Sequence, residues 1–129
     1  MDQAAIQPVV WIIDSQQWPR ANLCAELIER GFNAIGFIEI SQAMAMLGDP
    51  DHVKPRLIVL ELRGQSFSQN DLDVLAESGI PAVAIGGEVE LNEKSIRKLK
   101  WAAVLQRPLS IGNVADVVEG LLDRKEKNP

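Results

Sequence analysis

Four consecutive apolar residues, Leu57-Ile58-Val59-Leu60, lie between Pro55 and Gly64. An apolar run this short, closed by turn signals at both ends, reads as a strand buried on both faces. That is the habit of parallel sheets, so it narrows the architectures open to the chain at once. Glu61 follows the run directly. In open α/β sheets ligands gather at the carboxyl ends of strands, so this acid stands on functional ground.

The pattern recurs along the chain. Val9 to Ile13 is an apolar run ending in Asp14-Ser15, residues 33–38 form a second strand, and 80–85 run into Gly86-Gly87. A short strand over 102–105 precedes Arg107-Pro108. Helical segments fill the intervals. Pro19 suits a first helical turn, Leu23, Cys24, Leu27 and Ile28 share an apolar face, and Gly31 stops that helix. Ser41 can cap a helix over 42–47, Asn70 or Asp71 one reaching Ser78, and Asn92 or Ser95 one reaching Lys100. The last helix, 112–124, carries Val114, Val117, Val118, Leu121 and Leu122 as its stripe.

Strands alternating with helices predict an α/β fold: a single doubly wound five-stranded parallel sheet, flavodoxin-like (βα)5, strand order 2-1-3-4-5. The expected domain spans residues 1–124, with 125–129 a charged C-terminal tail or linker. In that strand order Asp14, Glu61, Gly86 and Arg107, distant in sequence, converge at the topological switch point.

Composition excludes several functions. No apolar run approaches the roughly 20 residues that span a bilayer, and Met1-Asp2-Gln3 opens no secretory signal. A lone cysteine, Cys24, forms no internal disulfide and fits a reducing cytoplasm. A net charge of −5 argues against direct nucleic-acid binding. The local exception is a basic patch of Lys94, Arg97, Lys98 and Lys100, expected on one helix and most simply a solvated face.

From Val9 to Leu122 the chain resembles the receiver domain of two-component response regulators, on Trp11-Ile12-Ile13-Asp14-Ser15, Leu57 to Leu62, Ile80 to Gly87 and Leu105-Gln106-Arg107-Pro108-Leu109. The resemblance implies two acids after the first strand that hold Mg²⁺, and a phospho-accepting Asp after the third. It implies a Ser or Thr after the fourth and Lys-Pro after the fifth. Here Ser15 replaces the second acid, Glu61 the acceptor, Gly86 the hydroxyl and Arg107 the lysine, while Asp14 and Pro108 stand as in the family. The aromatic switch position is Val104. A degenerate, pseudo-receiver variant is the expectation.

The substitutions have physical consequences. Mg²⁺ demands near-octahedral oxygen ligands, so losing one carboxylate and lengthening another leaves binding at Asp14 and Glu61 absent or weak. No cofactor is expected otherwise. Phosphoryl transfer depends on positioning, and a displacement near 1 Å can cost on the order of 10²-fold. Arg107 matches a carboxylate bidentately, so a Glu61–Arg107 ion pair, shared or not with Asp14, is expected to fill the crevice. The plainer alternatives are a strand-end acid at Glu61, a cap or loop acid at Asp14, and an Arg107 pairing on the surface.

The expected role is then non-catalytic signalling in the cytoplasm through protein contacts, with a protein partner or a fused effector domain. The resemblance puts the partner or homodimer surface on the fourth helix, fifth strand and fifth helix, where Val104, Lys94, Arg97, Lys98 and Trp101 lie. Two other readings stay open: an atypical phospho-acceptor at Glu61 with weak Mg²⁺, and a flavodoxin-like small-molecule module. Trp18 lids the pocket or packs on a loop, Trp11 is buried and needs an N–H partner, and His52 has no nearby co-ligand in sequence.

Overall fold

The computed structural model describes residues 6–127. Five strands, β1 (Val9–Ile13), β2 (Asn33–Phe37), β3 (Leu57–Glu61), β4 (Ala82–Gly86) and β5 (Ala103–Gln106), form one parallel sheet in the order β2-β1-β3-β4-β5. The expected architecture and strand order are those observed. β1, β3 and β4 are buried almost throughout, as their unbroken apolar runs require. The connecting helices are α1 (Gln17–Glu29), α2 (Ile40–Leu47), α3 (Gln69–Glu77), α4 (Glu88–Leu91), α5 (Lys94–Arg97) and α6 (Ile111–Lys127).

Successive strand residues point to opposite faces, so the sheet divides the core in two. Val10, Ile12, Leu57, Val59, Val83 and Ile85 pack against α1 and α6. Trp11, Ile13, Ile58 and Leu60 pack with residues of α2 and α3 on the other face. The same alternation carries one residue past each apolar run. Asp14 continues the phase of Val10 and Ile12, and Glu61 that of Leu57 and Val59, which aims both acids toward the α1–α6 side. β1 departs toward β2 on one flank and β3 on the other, so the crevice between their carboxyl ends opens at the switch point.

Several local expectations are corrected. The fourth helix is not one element through Lys100 but two short ones, with Gly87 capping α4 and Glu93 preceding α5. Glu39, not Ser41, caps α2 and closes a box with Gln42; Ser68, not Asn70 or Asp71, caps α3 with Asp71 reaching back. The Ser110 hydroxyl accepts from the Asn113 amide, starting α6 a residue early. α6 continues through Lys127, past the expected helix end at Arg124; residues 1–5 of the lead-in and the tail residues 128–129 lie outside the described residues. Ile28 is 56% exposed and belongs to the outer face of α1. Trp11 is fully buried, yet its indole N–H has no partner; the ring lies 4.8 Å from Phe37 and 5.9 Å from His52, centroid to centroid.

Candidate functional site

Asp14 leaves β1 with its amide donating to the Phe37 carbonyl, which prolongs the β1–β2 ladder by one bond. Its Oδ1 accepts from the Gln16 amide at 2.9 Å, and its carbonyl accepts from Arg20 Nη1 at 2.7 Å. The residue therefore shapes the entry to α1 and also presents a buried carboxylate to the crevice. Glu61, the last residue of β3, is equally buried. Its Oε2 accepts from the Arg63 amide at 3.0 Å and from Arg107 Nη1.

Arg107 reaches this point because its own amide donates to the Gly86 carbonyl at 2.9 Å, extending the β4–β5 pairing past Gln106. The Arg107–Pro108 peptide is cis. The guanidinium forks: Nη1 goes to Glu61, and Nη2 donates to Glu90 Oε1 at 2.7 Å. Glu90 Oε1 also accepts from the Gly87 amide at 2.7 Å. Arg107 thus joins Glu61 to Glu90, and Asp14 faces a different cation. Arg63 Nη2 stands 4.0 Å from both Asp14 Oδ1 and Glu61 Oε1, close enough for attraction but too far for a hydrogen bond. The Arg63 Nε is buried and unpartnered.

Electrostatics follow from these contacts. The Gly87 amide, with help from Arg107, holds the Glu90 carboxyl below the usual carboxylate range despite the opposing effect of burial. Burial would lower Arg107, but its bonds to Glu90 and Glu61 outweigh that and raise it.

The remaining sequence candidates take different places. Ser15 Oγ donates to the Arg63 carbonyl at 3.0 Å and fastens the β3–α3 loop. Gly64 sits at φ +73°, where a Cβ would also fall on Ser15 Oγ. Gly86 is buried at the strand end; a Cβ there would meet Glu90 Oε1 and Leu62 Cδ1, each at 3.2 Å. Val104 lies on β5, 53% exposed, away from the crevice. Lys94 and Arg97 project from α5 and Lys98 caps its end, all exposed. Trp101 is not an open aromatic anchor. It is half-buried against the inner cluster, and its indole N–H donates to the Ile96 carbonyl at 2.8 Å.

Sequence reasoning missed Glu90 and Arg63. For Glu90 the signal was present: an acid three residues after a possible N-cap, Gly87, is the capping-box spacing. Arg63 had only its closeness to Glu61 in sequence. Asp14, Glu61, Arg63 and Arg107 line one side of a cleft of about 320 Å³ that runs between the starts of α1 and α6, with Pro19, Leu23, Leu109 and Ile111 on its apolar wall. Trp18 stands on its wall, 71% exposed, rather than packing on a loop.

The donor set does not fit a divalent cation. Glu61 Oε2 is engaged by a guanidinium and an amide, and a second guanidinium stands between the two buried acids. A cation placed there would meet two positive charges and would have to displace ligands already bonded. No three His, Cys, Asp or Glu among the described residues converge as metal ligands.

No protein-family model and no curated protein matches the sequence. Solved structures do. The receiver domain of NtrX from Brucella abortus superposes with a TM-score of 0.69 at 21% identity, over 88% of this chain and 98% of that one. A signal receiver domain of a LuxO repressor protein from Vibrio parahaemolyticus gives 0.74 at 18% identity, with 94% of each chain covered. The regulatory domain of RitR, the repressor of iron transport regulator, in its inactive form gives 0.75 at 15% identity, over 90% and 95%. Against the longer NtrX structures this chain spans 28% of their length. The fold is therefore that of response regulator receiver domains. Among the described residues no helix is long and apolar enough to cross a membrane.

Proposed function

We propose that this chain is a receiver-like signalling domain that works through protein contacts and independently of phosphoryl transfer. The observation that carries the reading is the Arg107 guanidinium, spanning Glu61 and Glu90 across the ends of β3 and β4. Donors that converge here, the Arg63 and Gly87 amides and the Arg107 guanidinium, all terminate on carboxylate oxygens of the chain itself. These donors are filled from within, and the Arg63 guanidinium, 4.0 Å from Asp14 and Glu61, is the cation that remains to meet an incoming phosphoryl group. Glu61 Oε2 is in addition committed to two hydrogen bonds, so of the two carboxylate oxygens only Oε1 is left to face an incoming phosphoryl donor. No Mg²⁺ is needed in this reading.

Output then depends on what the surface presents. The contact face assigned is that around α4, α5, β5 and α6, bearing Val104, Lys94, Arg97 and Lys98. Its partner is a fused effector domain, a separate cytoplasmic protein or a second copy of the chain. A small-molecule module is the second reading, favoured by the cleft beside Trp18, whose size suits a compact ligand.

The test is incubation with acetyl phosphate and Mg²⁺ followed by intact mass. The expected result is an unchanged mass. Addition of one phosphoryl group, abolished in Glu61→Gln, would establish an atypical phospho-acceptor and overturn the proposal.

A further inference from the structure

The turn after β4 has one polar attachment to the strand ends. α4 is a four-residue element with no fully buried residue, and its apolar hold is the partly buried Leu91 on the inner cluster. Its Val89 is 84% exposed. Its polar attachment is Glu90, whose Oε1 accepts from the Gly87 amide within the turn and from Arg107 Nη2 beyond it. Arg107 is in turn fixed at its other end by Glu61 on the central strand β3. A guanidinium is planar and rigid, so the two carboxylates that share it are held at a set separation.

Gly86 belongs to the same arrangement. A Cβ there would approach Glu90 Oε1 to 3.2 Å and Glu90 Cβ to 3.3 Å. The Glu90 side chain lies over the strand end in space that any larger residue at 86 would need. Glycine at this position and glutamate four residues later are therefore one structural solution.

We infer that Glu61, Arg107 and Glu90 form a strap by which the charge state of the strand-end crevice fixes the position of α4, with Glu90 as the transmitting residue. The inference rests on the self-filled crevice proposed above. Removing the Glu61 carboxylate leaves Arg107 free to follow the turn, and the turn loses its attachment to β3. A lysine at 107 offers one ammonium and does not span both carboxylates with a rigid fork.

Amide hydrogen exchange tests this in the intact chain. The amides of Leu91, Asn92 and Glu93 bond back to Gly87, Glu88 and Glu90, and they report opening of the turn. Glu90→Gln, Glu61→Gln and Arg107→Lys should each speed their exchange about tenfold, the opening expected for loss of one charge-assisted hydrogen bond. Glu88→Gln, on the exposed side of α4, should leave it unchanged, and the amides of β1 and α1 should keep the parent rates in all four. If Glu90→Gln alone speeds exchange, Glu90 is merely a cap for its own turn and the strap is refuted. Unchanged rates in all variants refute it equally. Phosphoryl uptake is read separately by mass, so the strap and the phosphorylation-independent reading can fail independently.

Discussion

Replacing Arg107 by methionine is the most direct probe of the crevice, because it removes the cation and keeps most of the side-chain volume. Glu61 is then left as a carboxylate with 8% side-chain exposure and without its main partner. Breaking one side of a fully buried pair costs about 3–5 kcal/mol. Here Arg107 is 25% exposed, and Arg63 remains 4.0 Å from Glu61, so the loss is reduced to about 2–3 kcal/mol. In a domain of this size about 1 kcal/mol moves Tm by roughly 4 °C, so a fall of about 8–12 °C is expected. Urea unfolding at neutral pH, followed by circular dichroism, gives the free energy directly. The companion is Glu61→Leu with Arg107→Met. An apolar pair of similar volume is often as stable as the ion pair it replaces, so the double variant should recover much of the loss. A coupling energy of at least about 1 kcal/mol is expected. If Arg107→Met falls within about 0.5 kcal/mol of the parent, or the cycle closes with no coupling, the pair is a surface ornament and the reasoning fails.

Further expectations concern the other end of the guanidinium. The folded Glu90 carboxyl lies below its free value of 4.5, so its ionised form stabilises the fold above that pH. The contribution disappears as pH falls through the lowered folded value. The stability gap between the parent and Glu90→Gln should be widest near neutral pH and narrow as pH falls below 4.5 through the lowered folded value; a gap constant across that range contradicts the assignment. Gly86→Thr should destabilise by about 1–3 kcal/mol, since neither Leu62 nor Glu90 can withdraw without losing contacts. Adding Glu90→Ala should recover part of that loss, and an unchanged thermal midpoint in Gly86→Thr alone would show the strand end to be roomier than described.

The architecture was legible because it rests on long-range regularities. Unbroken apolar runs at Leu57–Leu60 and Val9–Ile13 require burial on both faces, and only a parallel sheet with covering helices provides that. Residues 14, 61 and 107 fell together because strand order alone fixes where strand ends meet. What sequence could not settle was which acid each cation chooses. Two guanidiniums and three carboxylates can pair in several ways, and the choice is made by side-chain reach: Arg107 turns toward Glu90 because Gly87 has already fixed that carboxylate. The break between α4 and α5 escaped for a related reason. The segment 88–100 has good helix formers throughout, and tertiary attachments at Glu90 and Ile96, not propensity, decide where the chain bends. Cap positions shifted by one to three residues because several Ser, Asn and Asp side chains compete for each helix start.

The close balance of charge at the strand ends has a bearing on how such a domain is governed. Carboxylates 14, 61 and 90 outnumber guanidiniums 63 and 107 by a single unit, and each acid lies within 4.0 Å of at least one guanidinium. From solution the cluster presents one unit of net charge. On the reading argued above, the supply of ions or activated phosphate would then leave this protein's state untouched, and how many copies the cell makes would be the variable that carries information.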